Sequence, residues 1–121
     1  MAACDRLERQ VSGGWERRLG RNYANVLAAT KRLGATTSWV RLFMVPGMGH
    51  CRGGEGPNTF DMVGALDPWV ASGKTPERIL ASHKTAAKVD RTRPLCAYPQ
   101  VARYTGRGST DDAANFACKA P

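Results

Sequence analysis

Residues 39–58 set the tightest limit on what this chain can build. Trp39-Val-Arg-Leu-Phe-Met-Val45 is short, largely apolar, and partly β-branched and aromatic, the pattern of a buried strand. Pro46-Gly47 stops it. Residues 46–58 then hold five glycines and two prolines, which points to a long loop rather than a regular element. Glycine lets the backbone bend where a β-carbon would forbid it, and loops at strand ends often mount reactive side chains. This loop presents His50, with Cys51 directly behind it. Histidine is the commonest general base near neutral pH. A base needs a nucleophile to deprotonate, and no obvious one accompanies it. On these residues alone, His50 reads equally as a catalytic base or as a histidine that bonds its own loop. His83 follows a short strand directly and reads as structural.

The rest of the chain supplies helices and a second strand. Tyr23, Val26, Leu27 and Thr30 follow helical spacing, which predicts a helix over 22–33 ended near Gly34. Residues 1–21 mix arginine, glutamate and glycine with little periodicity. Thr59 can cap a helix beginning at Phe60, with Phe60, Val63, Leu66 and Val70 along one side. Asp67-Pro68 is expected to restart that helix, and Gly73 to end it. Arg78-Ile-Leu-Ala-Ser82 reads as a second strand. The path from strand 39–45 through a helix to strand 78–82 has the length of a βαβ crossover, so parallel pairing is expected. Residues 84–94 are polar and basic. Beyond them the chain looks extended, and Pro94 and Pro99 argue against a central strand there. Residues 109–118 are expected to hold one helical turn capped by Ser109 or Thr110.

Composition narrows the classes. With 121 residues the chain is one domain at most, long enough to bury about two-thirds of its unfolded surface. Its apolar content of 42% is slightly low for a globular domain, which suggests a missing packing partner. No apolar run approaches the roughly 18 residues that span a membrane. The first residues lack a signal peptide's apolar core. A net charge of +8 invites a nucleic-acid reading, but the basic residues are spread along the chain and do not cluster with aromatics. No nucleic-acid or membrane partner is expected. The four cysteines, at 4, 51, 96 and 118, have no Cys-x-x-Cys spacing. A zinc site from His50, Cys51 and His83 is weakly signalled, since adjacent His50 and Cys51 would have difficulty reaching one ion together. Disulfides fit better and imply an oxidising compartment.

Several stretches together carry a resemblance. They are Arg41-Leu-Phe-Met-Val-Pro-Gly-Met-Gly-His-Cys51, Gly56-Pro-Asn-Thr-Phe60, Ala65-Leu-Asp-Pro-Trp-Val-Ala-Ser-Gly73 and Pro76-Glu-Arg-Ile-Leu-Ala-Ser-His83. Arg93-Pro-Leu-Cys-Ala-Tyr-Pro99, Ala102-Arg-Tyr-Thr-Gly106 and Asp111-Asp-Ala-Ala-Asn-Phe-Ala-Cys118 follow. In this order they resemble the closing part of the tannase and feruloyl esterase family, from about Asn22 to the C-terminus. The resemblance implies α/β architecture: the C-terminal part of an α/β-hydrolase fold, with an incomplete parallel sheet, flanking helices and an extended, disulfide-stapled tail. It implies a serine carboxylic-ester hydrolase acting on galloyl or hydroxycinnamoyl esters of plant origin, secreted or periplasmic. His50 would be the triad base. Cys51 would be a tether whose family partner, the cysteine before the nucleophilic serine, is missing. Cys96 and Cys118, in two matched motifs, are expected to pair.

The departures from the family are equally definite. In α/β-hydrolases the order is serine, acid, histidine. Upstream of His50 only Ser12 and Ser38 occur, and neither follows a cysteine or sits in a Gly-x-Ser-x-Gly elbow. Asp5 and Glu16 lack the family's acid motif. The lid with its calcium site would also lie upstream, so no cofactor or metal is expected in this chain. Residues 1–21 are expected to be an unmatched, poorly ordered segment, as a truncated or frameshifted start would give, and 22–121 the family portion. Alone, the chain is expected to be inactive. The competing reading is a non-catalytic basic binding protein.

Overall fold

The structure is a computed structural model that describes residues 15–31, 36–49 and 53–121. Helix α1 (Trp15–Thr30) opens the described chain. It begins seven residues before the helix read from the sequence. Its anchor is Tyr23, which is buried, donates its hydroxyl to Val40 O at 3.2 Å and meets Tyr98 edge-on at 5.8 Å. At the helix end, Thr30 Oγ1 lies 2.6 Å from Thr36 Oγ1, the hydroxyl of a buried threonine. Thr36–Ser38 form a single 3-10 turn.

The expected strand 39–45 is not a strand. Residues 41–45 run half-buried and extended, with one isolated antiparallel bridge, Phe43 to Ala97, and a bond from Tyr98 N to Leu42 O of 2.8 Å. The sheet forms from later residues. Strand β1 (Thr59–Phe60) leads through Asp61 into helix α2 (Met62–Ser72), and β2 (Arg78–Thr85) and β3 (Lys88–Cys96) complete a sheet of order β1-β2-β3. Every pairing among the described residues is antiparallel. The parallel pairing of 39–45 with 78–82 is therefore corrected. The cause is a two-residue hairpin: Thr85 pairs with Lys88, and Ala86 and Ala87 between them both take positive φ, 48° and 67°. That twist matches a tight hairpin and folds the basic stretch 88–93 back onto β2. Pro94 sits in β3, at the sheet edge, where a residue without an N–H is tolerated.

Helix α2 is capped at Asp61, whose Oδ1 accepts from Gly64 N at 2.8 Å, and ends at Gly73, with φ 69°. Pro68 lies inside it and does not restart it. The caps and the 2.7 Å bond from Trp69 Nε1 to Ser38 O hold one continuous helix across the lost backbone bond. The core is small. Ile79 and Ala81 alternate inward on β2 and meet Leu95, with Phe43, Val45, Phe60 and Ala65 packed around them. Leu80 points the other way and is exposed.

The tail is a two-stranded antiparallel ribbon, β4 (Val101–Tyr104) with β5 (Phe116–Lys119). Before β5, Ala113–Asn115 form a 3-10 turn capped by Asp112, not by Ser109 or Thr110. A two-stranded ribbon is marginal alone. Here Cys96, at the end of β3, is disulfide-bonded to Cys118 on β5. The pair lies 22 residues apart in sequence, and closing such a loop stabilises by about 3 kcal/mol in the chain-entropy model. Arg93 lies over the Phe116 ring at 4.1 Å, adding a cation–π contact between β3 and the ribbon.

Candidate active site

The glycine-rich turn is built by backbone meeting backbone. Its two described limbs, 46–49 and 53–56, are joined by Gly49 N to Gly53 O and Gly56 N to Gly47 O, each 2.9 Å. A β-carbon on Gly54 would come within 2.2 Å of Gly47 O, and one on Gly56 within 2.1 Å of Pro46 O. Gly54 also has φ 92°, a conformation side chains rarely adopt. Only glycine allows limbs this close. Gly49, Gly56 and Pro57 are buried, so the base of the turn is part of the packed body. His50 and Cys51, the predicted base and its tether, lie outside the described residues, as does Cys4.

The turn is braced from β3. Arg91 Nη1 donates to Glu55 O at 2.9 Å, while Arg91 Nε lies 3.2 Å from Asp111 Oδ1. One guanidinium thus links the second limb, β3 and the approach to the ribbon. Thr92 adds to the same junction, with its N–H donating to Asp111 O at 2.8 Å. Asn58 N donates to Ser82 O at 3.1 Å, which fixes where the limb joins the sheet. The sequence reading missed Arg91, because residues 84–94 looked like a solvated basic stretch. The signal was Asp111 in a matched motif, but nothing local pairs residues 20 apart.

A cavity of about 310 Å³ opens beside the base of the turn. Met44, Pro46 and Pro57 form one part of its wall, and Arg93, Leu95 and Phe116 another. Burial and the nearby Arg91 push the Arg93 guanidinium below its usual range, with Asp111 opposing in part. An apolar wall with a guanidinium beside it can hold an aromatic group or an organic anion.

His83 is drawn into a separate cluster. Its Nδ1 lies 2.7 Å from Asp90 Oδ1 across the β2–β3 hairpin, at a shift in strand register. Thr85 Oγ1 donates to the other carboxylate oxygen, Oδ2, at 2.5 Å. The Thr85 bond first, and the His83 bond second, hold the Asp90 carboxyl below its ordinary range. The cluster ties the hairpin together. Among the described residues no group of three His, Cys, Asp or Glu side chains could hold a metal ion, and no helix is long and apolar enough to cross a membrane. Of the acids and serines weighed as triad partners, Asp5 and Ser12 lie outside the described residues. Ser38 lends its carbonyl oxygen to Trp69.

Comparison with known proteins places this geometry. The chain is 49% identical over 98 residues to the mono(2-hydroxyethyl) terephthalate hydrolase of Piscinibacter sakaiensis, covering 75% of this chain and 16% of that protein. It is 43% identical over 109 residues to an uncharacterised esterase of Xanthomonas campestris, covering 74% of this chain and 19% of that one. The crystal structure of feruloyl esterase B from Aspergillus oryzae superposes with a TM-score of 0.70 at 26% identity, over 82% of this chain and 23% of that chain. The chain thus spans less than a fifth of the length of these two curated relatives. The model of the family described as tannase and feruloyl esterase matches residues 16–119, taking in the glycine turn, its Arg91 brace and the stapled ribbon. By that match and those identities, the chain belongs to the tannase and feruloyl esterase family.

Proposed function

We propose that this chain supplies the histidine-bearing portion of a carboxylic-ester hydrolase. His50 acts as general base for a serine nucleophile that lies outside these residues. The observation that carries the reading is the glycine turn. Its limbs are locked by two 2.9 Å backbone bonds and braced by Arg91, a rigid mount directly flanking His50. Rigid mounting matters because a base must stay within hydrogen-bond reach of the hydroxyl it deprotonates. In the reaction the serine oxygen attacks the ester carbonyl while His50 takes its proton. An acyl-enzyme forms as the alcohol leaves with that proton, and water then releases the acid by the same base. An aspartate, also from outside these residues, holds the imidazole in its working tautomer. The substrates are esters of aromatic acids, galloyl or hydroxycinnamoyl. The named substrate of the Piscinibacter relative, a terephthalate half-ester, belongs to the same broad class. Membership of an extracellular type of esterase agrees with a disulfide that needs an oxidising compartment.

Neither serine upstream of His50 sits in a Gly-x-Ser-x-Gly elbow, and alone the chain is expected to hydrolyse none of these esters. The test grafts residues 16–119 into the Piscinibacter hydrolase in place of its matching segment. Methyl gallate, methyl ferulate and mono(2-hydroxyethyl) terephthalate are the substrates. Hydrolysis by the graft that disappears in His50→Ala is the expected result. A folded graft that keeps its activity after that change would overturn the role of His50.

A further inference from the structure

Helix α2 carries more apolar surface than the described chain covers. At about 100° per residue, Ala65, Trp69, Met62, Leu66, Val70 and Val63 form one continuous arc roughly 160° wide. A helix lying on a protein surface needs an apolar stripe of roughly 100°. One half of the arc is used: Ala65 packs on the Ile79–Ala81–Leu95 core, and Trp69 bonds to Ser38 O. The other half is bare. Met62 is 59% exposed, Val63 69%, Leu66 52% and Val70 77%. Asp67 is the only charged residue in the helix. Such a helix is built to be covered on two sides.

What covers the second side follows from length and charge. The chain spans 16% and 19% of its curated relatives and 23% of the Aspergillus feruloyl esterase chain. Most of the family's catalytic body therefore lies outside these residues. A second copy of this chain is the poorer occupant, because +8 of like charge on each copy opposes association. We infer that the Met62–Val63–Leu66–Val70 face of α2 seats the remainder of a tannase and feruloyl esterase catalytic body. The inference rests on the esterase reading above for the nature of the occupant.

The test mixes the full 121-residue chain with the Piscinibacter hydrolase lacking its matching segment, and follows binding by sedimentation. A one-to-one complex is expected. Val63→Asn with Val70→Asn should weaken it roughly tenfold or more, since two exposed valines lose their burial. Ala71→Asn, off the arc, should not. Equal binding by the paired variant, or a homodimer of the 121-residue chain that this variant breaks, would overturn the inference. If the shortened hydrolase does not fold, the covalent graft decides. There the paired variant should lower the melting temperature, while leaving that of the 121-residue chain unchanged. Equal shifts in both, or none in the graft, would count against the face. A complex that forms through this face but hydrolyses no ester would sink the esterase reading and leave the docking intact.

Discussion

Gly56→Ala separates the two reasons a turn can require glycine. Gly56 is not among the glycines with positive φ, so alanine meets no torsional penalty there. Its β-carbon would nevertheless stand 2.1 Å from Pro46 O and 2.9 Å from Gly47 C. Restoring ordinary contact requires the limbs to part by roughly 1 Å. That movement breaks the 2.9 Å bond from Gly56 N to Gly47 O, at a net loss of about 1 kcal/mol. Forcing the extra methyl into packed backbone adds about 1–3 kcal/mol. The expected loss is therefore about 2–4 kcal/mol, large against a typical domain stability of about 5–15 kcal/mol. Gly53→Ala is the matched control, with φ 73° and nothing within 4 Å of an added β-carbon. It should lose only the torsional part, about 1–2 kcal/mol. Gly54→Ala combines φ 92° with a 2.2 Å approach to Gly47 O and should be the most damaging. Urea unfolding of the oxidised chain, followed by tryptophan fluorescence, ranks the three. If Gly56→Ala stays within about 0.5 kcal/mol of the parent, or costs less than Gly53→Ala, the close approach of the limbs is refuted.

Two further changes probe the β2–β3 hairpin. Replacing Ala86 by Asn and Ala87 by Gly puts residues that favour positive φ where φ is 48° and 67°, and should stabilise by about 1 kcal/mol in the same urea assay; a loss would mean the turn has another conformation. The Asp90 carboxyl is held below its ordinary value of 3.8, by Thr85 first and His83 second. A lowered folded pKa means the unfolded chain binds the proton more readily, so this contribution is complete above about pH 4 and fades as pH falls through the folded value. Asp90→Asn should flatten that part of the acid limb of stability, and an unchanged limb would refute the cluster.

Local signals were legible in the sequence, and pairings set by distant residues were not. Gly73 ends α2 as its position suggested, because a left-handed C-cap is a property of one residue. The Cys96–Cys118 bridge was reachable only through motifs that place both cysteines in one known framework. The antiparallel hairpin was hidden because its turn is Ala-Ala, where Asn-Gly is the usual mark. The apolar run 39–45 had the composition of a strand but found only the single bridge at Phe43. At the candidate site, the glycines between 47 and 56 were enough by themselves to announce a loop whose backbone bends. The brace did not show itself, because Arg91 reaches Glu55 O from 36 residues away and its side chain resembles any surface arginine.

The bridge between β3 and β5 turns the end of the chain into a covalent ring. Residues 96–118 are closed on themselves through sulfur as well as through the main chain. Residues 105–110, between the ribbon's strands, are exposed and include Gly106 and Gly108, the kind of segment proteases cut. A cut there opens the ring without releasing anything. β5 stays fastened to Cys96, and β4 stays joined to β3 by the backbone. The nicked and intact chains keep nearly the same mass until a reductant is added, and only then does the nicked chain part in two.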